Sequence, residues 1–513
     1  MELAAAAASA IAAARTWEYS VAQETSWDQS DETLLQADLG FRLLLAVLLA
    51  VTALRVLGLA VSNAELFYDE AQYWVWAQEP AFGYFTKPPL IAWLIGSVTT
   101  VCGDSPFCVR VASPILHLAA ALLIYALARK LFDQRTAFWS SLVYITTPGT
   151  SVSSTLMSTD VPLLFFWVAA MLAVVYHYQR PSLAAGLAMG VAIGLGLNAK
   201  YAMIYLVLCI AVFALVSPAG RRMLRHPGTW IGFAVAAALI APNVYWNYEN
   251  GFATYLHTRD NADWGGRFPN IRGLLEFTAI QTVIIGPVAF AAFVVAALGK
   301  AKEIDPTARR FLLSFSLPVF ALIMTQAFIS RAHGNWAATA FPAATVLAMA
   351  TMLALQWKRG LIATICINAT ALIAVTFAGT LTGVITSGPV GGELGKLRGW
   401  GEFAQNVQRI SQDTGIRKVV FTGRGFTASM VYELRDTDLD VRALTPDPKR
   451  PADQFEMTRP WTPREEGPAL LFVVGDFDVA GVFNIEAQRI EAFQTRIFLA
   501  RHSNWIASAW RVN

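Results

Sequence analysis

The stretch Phe67-Tyr-Asp-Glu-Ala-Gln-Tyr-Trp-Val-Trp-Ala-Gln-Glu-Pro-Ala-Phe-Gly-Tyr-Phe-Thr-Lys-Pro-Pro-Leu-Ile-Ala-Trp93 lies between two long apolar runs and decides how the chain is read. Nine of its 27 residues are aromatic, a third, against 12% for the whole chain. Amphipathic rings at that density are favoured where lipid meets water, so the segment reads as a loop at a membrane surface. Residues Glu70 to Gln78 have helical spacing, with Tyr73, Trp74 and Ala77 near one face, which predicts an interfacial helix. Asp69 and Glu70 open that helix, where a carboxylate gains about 0.3 to 1 kcal/mol from the helix dipole. Lys87, Pro88 and Pro89 then force an extended turn.

The flanks agree with a membrane setting. Of 513 residues, 55% are hydrophobic and 15% charged, more apolar surface than a soluble core needs, so the excess faces lipid. Runs of about 17 to 25 apolar residues, enough to cross roughly 30 Å of hydrocarbon, recur from Phe41 to about Ile385. They predict eleven spans, starting near residues 41, 110, 136, 161, 183, 201, 229, 276, 310, 337 and 360. The fold class is therefore an α-helical polytopic membrane protein with about 11 to 13 transmembrane helices. The formal charge of +3 hides an asymmetry: Arg129, Lys130 and Arg135, then Arg221, Arg222 and Arg225, then Lys300, Lys302, Arg309 and Arg310 sit in alternate connections. If those face the cytoplasm, the loop of Phe67 to Trp93 lies outside. The basic residues form no aromatic-interleaved patch, which argues against a nucleic-acid partner.

This topology divides the chain into a cytoplasmic tail at residues 1–40, a membrane domain at 41–386 with outer loops 60–109 and 247–275, and a soluble extracytoplasmic α/β domain at 387–513. The tail turns acidic and has neither the basic opening nor the cleavage site of a signal peptide. In the terminal part, strand-like runs at Lys418–Thr422, Ala469–Val474 and Arg496–Leu499 alternate with helix-like stretches at Trp400–Gln412 and Thr427–Arg435, around a proline-rich loop at Pro446–Pro468. Gly423-Arg-Gly425 follows a strand but lacks the third glycine and acidic partner of a dinucleotide site. Of the four cysteines, Cys102 and Cys108 share the first outer loop, where oxidation permits a local bridge.

Asp69-Glu-Ala-x-Tyr-Trp74 followed by Gly83-Tyr-Phe-x-Lys-Pro-Pro-Leu-Ile-Ala-Trp-Leu94 resembles the first periplasmic loop of the GT-C glycosyltransferases of the ArnT-like and protein O-mannosyltransferase-like group (families 39 and 83). Further similarity runs through Ser158-Thr-Asp-Val-Pro-Leu163, Leu197-Asn-Ala-Lys-Tyr201, Ala241-Pro-Asn-Val-Tyr-Trp-Asn247 and His333-Gly-Asn-Trp-Ala337, covering about Phe41 to Ala350. The resemblance implies a GT-C fold, Asp69 at the catalytic aspartate position, Asp160 as a second aspartate supporting the loop, and Lys87 and Lys200 at the carrier phosphate. Members close to the aminoarabinose transferase have Glu before the Lys-Pro-Pro lysine, where this chain has Thr86. We therefore expect no cofactor and no essential metal, with a divalent metal left open.

The chemistry needs these residue types. Breaking the bond between an anomeric carbon and a phosphate oxygen puts negative charge on the leaving group, which fixed cations stabilise by several kcal/mol in a site that excludes water. Lys87 and Lys200 suit that task, with Glu70, Tyr84, Arg259, Arg267 and Arg331 as candidate helpers. The acceptor must lose a proton as it attacks, which suits Asp69 as general base. One base and a leaving phosphate make a direct inverting displacement the simplest mechanism. The expected activity is transfer of a sugar from a polyprenyl-phosphate donor to a hydroxyl or phosphate of a lipid, glycan or protein, at the periplasmic face of a bacterial inner membrane. The rival, a transporter or flippase of lipid-linked sugars, should carry an internal repeat and polar residues at the bilayer midplane, and neither is evident. A non-catalytic assembly protein is the third reading, one that loss of activity in Asp69→Asn would exclude.

Overall fold

The computed structural model describes residues 39–264, 268–462, 467–475, 479–483, 485–497 and 506–512. The expected cytoplasmic tail lies outside the described residues apart from its last two positions. From Leu39 to Thr376 long runs of Ala, Leu and Val, good helix formers with no polar atoms to satisfy, fold as helices. Seven are long and apolar enough to cross a membrane: Leu39–Ala60, Pro106–Leu131, Asp160–Gln179, Pro227–Glu249, Pro306–Ile329, Gly334–Ala354 and Lys358–Thr376.

All eleven predicted starts coincide with helices, but the count of full-length spans among the described residues is seven, or eight with one bent pair. That pair, Ile271–Ile285 and Pro287–Ala297, turns by 108° at Gly286, whose φ of 91° a side chain would resist. The run near 136 stops at Thr147, whose hydroxyl accepts from Thr150 N and starts a second short helix, Pro148–Ser153. In both breaks a proline takes the first turn of the next helix, where its missing N–H costs nothing. Leu183–Ala199 and Tyr201–Val216 are shorter apolar helices. Leu183–Ala199 packs back to back on Pro227–Glu249: a Cβ at Gly190 would fall 2.1 Å from the Gly232 carbonyl oxygen, and one at Gly186 as close to that of Gly228. Such small-residue faces let membrane helices touch through their backbones. This contact fixes the end of the helix that carries Lys200.

The first outer segment is a chain of helices rather than an open loop: Tyr68–Gln78, Leu90–Cys102 and Pro106–Arg110. Cys102 and Cys108 form a disulfide that closes the turn between the last two. The expectation of an interfacial helix is corrected here. All residues from Glu70 to Trp76 are buried, so the aromatic rings are covered by protein on every side.

The cover is the terminal part. Six strands, β1 (Lys418–Phe421), β2 (Asp440–Leu444), β3 (Pro460–Trp461), β4 (Ala469–Val474), β5 (Ala487–Gln494) and β6 (Ile506–Val512), form one sheet in the order β3-β2-β1-β4-β6-β5. β1, β2, β3 and β4 pair in parallel, while β6 runs antiparallel to both β4 and β5. The predicted helices appear as Trp400–Thr414 and Arg424–Glu433. The strand expected at Arg496–Leu499 is not found: Arg496 and Ile497 are irregular, and the next two positions lie outside the described residues. One continuous apolar core joins Tyr73, Trp74, Trp76 and Ile91 of the outer segment to Trp400, Phe403, Phe421 and Phe426.

Candidate active site

Asp69 stands in the first turn of Tyr68–Gln78, and its neighbour Glu70 anchors that turn. Glu70 accepts from Arg110 Nε and Nη2 at 2.9 and 2.7 Å, from Met157 N at 2.8 Å and from Phe67 N at 3.0 Å. With both partners 2% exposed, this ion pair is a buried brace that ties the helix start to two neighbouring segments. A second brace comes from the disulfide turn. There Asp104 accepts from Trp74 Nε1 at 2.7 Å through its carboxylate and from Tyr432 Oη at 2.6 Å through its carbonyl.

Lys87 sits at the end of a turn clamped from both sides. Asn243 Nδ2 donates to Phe82 O at 2.7 Å and Thr254 Oγ1 to Tyr84 O at 2.8 Å, while Phe85 N donates to Gln454 Oε1 at 2.8 Å. Half-buried there, the Lys87 ammonium is depressed from 10.5 to about 8, by burial first and then by Lys200. Asp69, Arg424 and Asp160 also act on it, so these charges share one site.

Asp160 opens its span and joins two others. Lys200 Nζ lies 2.6 Å from Oδ1, and Asn335 Nδ2 donates to Oδ2 at 2.7 Å. Opposite, Arg424 Nη2 lies 3.0 Å from Asp69 Oδ1. That oxygen is buried, yet among the described residues it accepts no hydrogen bond: Arg424 supplies charge without directional bonding. Tyr73, 3% exposed, stands in the fields of Asp69, Arg424 and Asp160, and burial, then Asp69, drives its phenol well above the usual value. His257 is lowered to about 4 by burial, Lys87 and Arg424, so it is neutral near pH 7.

The structure thus brings together four residues singled out from the sequence: Asp69, Lys87, Asp160 and Lys200. The candidate helpers fare differently. Glu70 is consumed by its brace, and the Tyr84 hydroxyl is held by the Trp76 and Glu79 carbonyls with its ring stacked on Trp76. Arg259 pairs with Asp260 in an exposed position, and Arg331 reaches towards Asp263 at 4.0 Å. Arg267 lies outside the described residues. Two residues at the site carry no such signal in the sequence, Tyr73 and above all Arg424, whose Gly423-Arg-Gly425 setting reads only as a failed nucleotide motif, while Asn335 stands in the motif His333–Ala337.

The residues do not suit a divalent metal. Thr86 is buried and its hydroxyl accepts from Gln72 Nε2 at 3.3 Å, while the carboxylates of Asp69 and Asp160 face Arg424 and Lys200. Among the described residues no group of three or more His, Cys, Asp and Glu converges.

A site of paired carboxylates and cations, set where several spans end under a folded cover, can bind an anion and accept a proton beside it. A family model for dolichyl-phosphate-mannose-protein mannosyltransferases matches residues 86–246. The lipid A galacturonosyltransferase RgtD of Rhizobium johnstonii is 35% identical over 404 residues, 78% of this chain and 85% of that one. ArnT from Cupriavidus metallidurans has the same fold, with a TM-score of 0.65 at 15% identity over 91% of this chain and 97% of that one in the apo state. Its undecaprenyl phosphate-bound structure gives 0.63 at 16%, over 92% and 97%. These similarities define a multi-span membrane glycosyltransferase. The chain belongs to the GT-C glycosyltransferases, in the ArnT-like and protein O-mannosyltransferase-like group.

Proposed function

We propose that the chain transfers a galacturonosyl residue from a polyprenyl-phosphate carrier to lipid A at the periplasmic face of a bacterial inner membrane. The observation that carries the reading is the meeting of Asp69 with Lys87, Lys200 and Arg424 where the spans end. The sugar and acceptor are taken from the relative matched over most of both chains, a lipid A galacturonosyltransferase. The outer orientation is supported by the alternation of basic connections and by the Cys102–Cys108 disulfide, which persists in an oxidising compartment. Residues 387–513 act as the cover of the site on that side.

The acceptor hydroxyl attacks the anomeric carbon from the face opposite the phosphate, and its proton passes to Asp69. The bond from carbon to phosphate oxygen breaks, and its electron pair leaves with the polyprenyl phosphate. Lys87, desolvated before the donor arrives, meets the growing phosphate charge without water to reorganise. Lys200, held by Asp160, adds a second cation beside it. One carboxylate base and no second nucleophile make the outcome inversion at the anomeric centre.

Mass spectrometry of lipid A from cells with and without the chain tests this. We expect a species one hexuronic acid heavier only when the chain is present. An unchanged lipid A profile would refute the assignment.

A further inference from the structure

The pairing of Asp69 with Arg424 presents a difficulty for a general base. The guanidinium stands 3.0 Å from Asp69 Oδ1, in the space an acceptor hydroxyl needs to reach that oxygen, so something in the reaction must draw Arg424 off. The guanidinium is ready to leave. Asp69 Oδ1 takes no hydrogen bond from it, so the planar fork of donors is not spent on its partner.

Arg424 is also held in a way that aims it. It follows Gly423, whose φ of 75° lets β1 turn sharply into the helix Arg424–Glu433. The next residue, Gly425, lies against Tyr68: a Cβ there would come within 3.1 Å of the ring. The guanidinium stands 5.8 Å from the centre of that same ring. A side chain at residue 425 would press on the Tyr68 ring, which would have to give by a few tenths of an ångström, and the close approach delivers Arg424 to the site from the cover.

The charges then divide. Lys200 is held by Asp160 at 2.6 Å, whereas Arg424 rests on Asp69 without a directional bond, so Lys87 and an exchangeable Arg424 are the cations with most to offer a substrate beside Lys200. Lys87 is a compact point charge on the membrane-side turn, suited to a phosphodiester. Arg424 offers a planar fork, suited to a planar carboxylate. A neutral hexose on the carrier presents one anionic group, the phosphodiester. A uronic acid presents two, the phosphodiester on C1 and the carboxylate on C5, on the two carbons that flank the ring oxygen.

We propose that Arg424 is the specificity-determining residue that reads the carboxylate of a uronosyl donor, exchanging the Asp69 carboxylate for that of the sugar and thereby freeing Asp69 as the base. This rests on the galacturonosyl reading above. The correct sugar thus switches on the base that uses it, and a donor without the carboxylate leaves Asp69 masked.

The test compares polyprenyl-phosphate galacturonate with polyprenyl-phosphate galactose, which differ at the sugar carboxylate. Both are used with the purified full-length protein and its Arg424→Gln and Arg424→Lys variants, each checked for an unaltered thermal unfolding transition. We expect the wild-type ratio of kcat/KM, galacturonate over galactose, to be on the order of 100 or more, because a site built to bond a polar group rejects an analogue lacking it. The ratio should fall at least about tenfold in Arg424→Gln, with Arg424→Lys intermediate. Wild-type selectivity with an unchanged ratio in Arg424→Gln would overturn this assignment alone. A wild-type protein that transfers galactose and not galacturonate would overturn the donor reading and the assignment with it.

Discussion

If Lys87 meets the donor phosphate as proposed, its depressed ammonium should make the donor step pH-dependent in a range where ordinary lysines do not titrate. Burial and Lys200 bring it from 10.5 to about 8. The phosphodiester of the donor stays anionic throughout, so loss of the Lys87 charge is what the basic limb of kcat/KM should report. With a midpoint near 8, about one-tenth of the free protein carries the charge at pH 9, and kcat/KM for donor should fall about tenfold between pH 7 and pH 9. Bound phosphate stabilises the ammonium, so the corresponding limb in kcat lies at higher pH. In Lys87→Arg the guanidinium stays charged and the limb disappears, whatever the absolute rate.

The same shift has a consequence for stability, with a definite sign. A lysine whose folded pKa lies below its unfolded one opposes folding wherever it is charged in the folded protein. That cost is fully present below about pH 8 and fades as pH rises towards 10.5. The interval corresponds to at most about 3 kcal/mol. Lys87→Met should therefore be inactive yet more stable at pH 7, with the gain shrinking at pH 9.5. Donor-dependence curves from pH 6.5 to 9.5 and denaturation at the two ends read both effects. A kcat/KM flat through pH 9.5, or a Lys87→Met protein no more stable than wild type, would refute the reasoning.

Two further outcomes follow from the braces. Glu70→Gln leaves Arg110 charged and buried without its counter-ion, so it should lower unfolding stability by about 3 to 5 kcal/mol, read as a fall in Tm. Arg110→Met with Glu70→Gln should recover much of that loss, because the unpaired charge is gone. Reducing the Cys102–Cys108 bridge should cost about 2 kcal/mol for so short a loop and loosen Asp104 from Trp74 and Tyr432, seen as faster proteolysis of the cover in reducing buffer.

How much of this was legible in the sequence depends on the distance over which each contact acts. Asp69, Lys87, Asp160 and Lys200 stand in compact motifs whose residue types already imply their chemistry, and the structure gathers them. Glu70 and Tyr84 stand in the same motif, but their role is to hold it, which spacing alone does not reveal. Arg424 lies in a segment remote from the motif, and nothing local distinguishes a glycine-flanked arginine that faces a partner from one that faces solvent. The interfacial reading of Tyr73, Trp74 and Trp76 failed for a related reason: buried aromatic residues look alike whether lipid or protein covers them, and here the cover was Trp400, Phe403 and Phe426. Strands β5 and β6 escaped notice because Ala487–Gln494 mixes charged and apolar residues and Ile506–Val512 carries Ser508 and Arg511. Where a hydropathic run continues through a proline break, as at Pro148 and Pro287, the chain folds as two shorter helices, so a count by full helix length gives seven or eight among the described residues although helices stand at all eleven expected starts.

In the proposed mechanism Asp69 is the base of an inverting transfer. The measurement is turnover of polyprenyl-phosphate galacturonate and lipid A by purified wild-type and Asp69→Asn protein, with the anomeric configuration of the product read by NMR. Turnover should fall by about 10² or more in Asp69→Asn without a change in Tm, and the wild-type product should have the anomeric configuration opposite to the donor's. Near-normal turnover in Asp69→Asn, or a product that retains the donor's configuration, would contradict it.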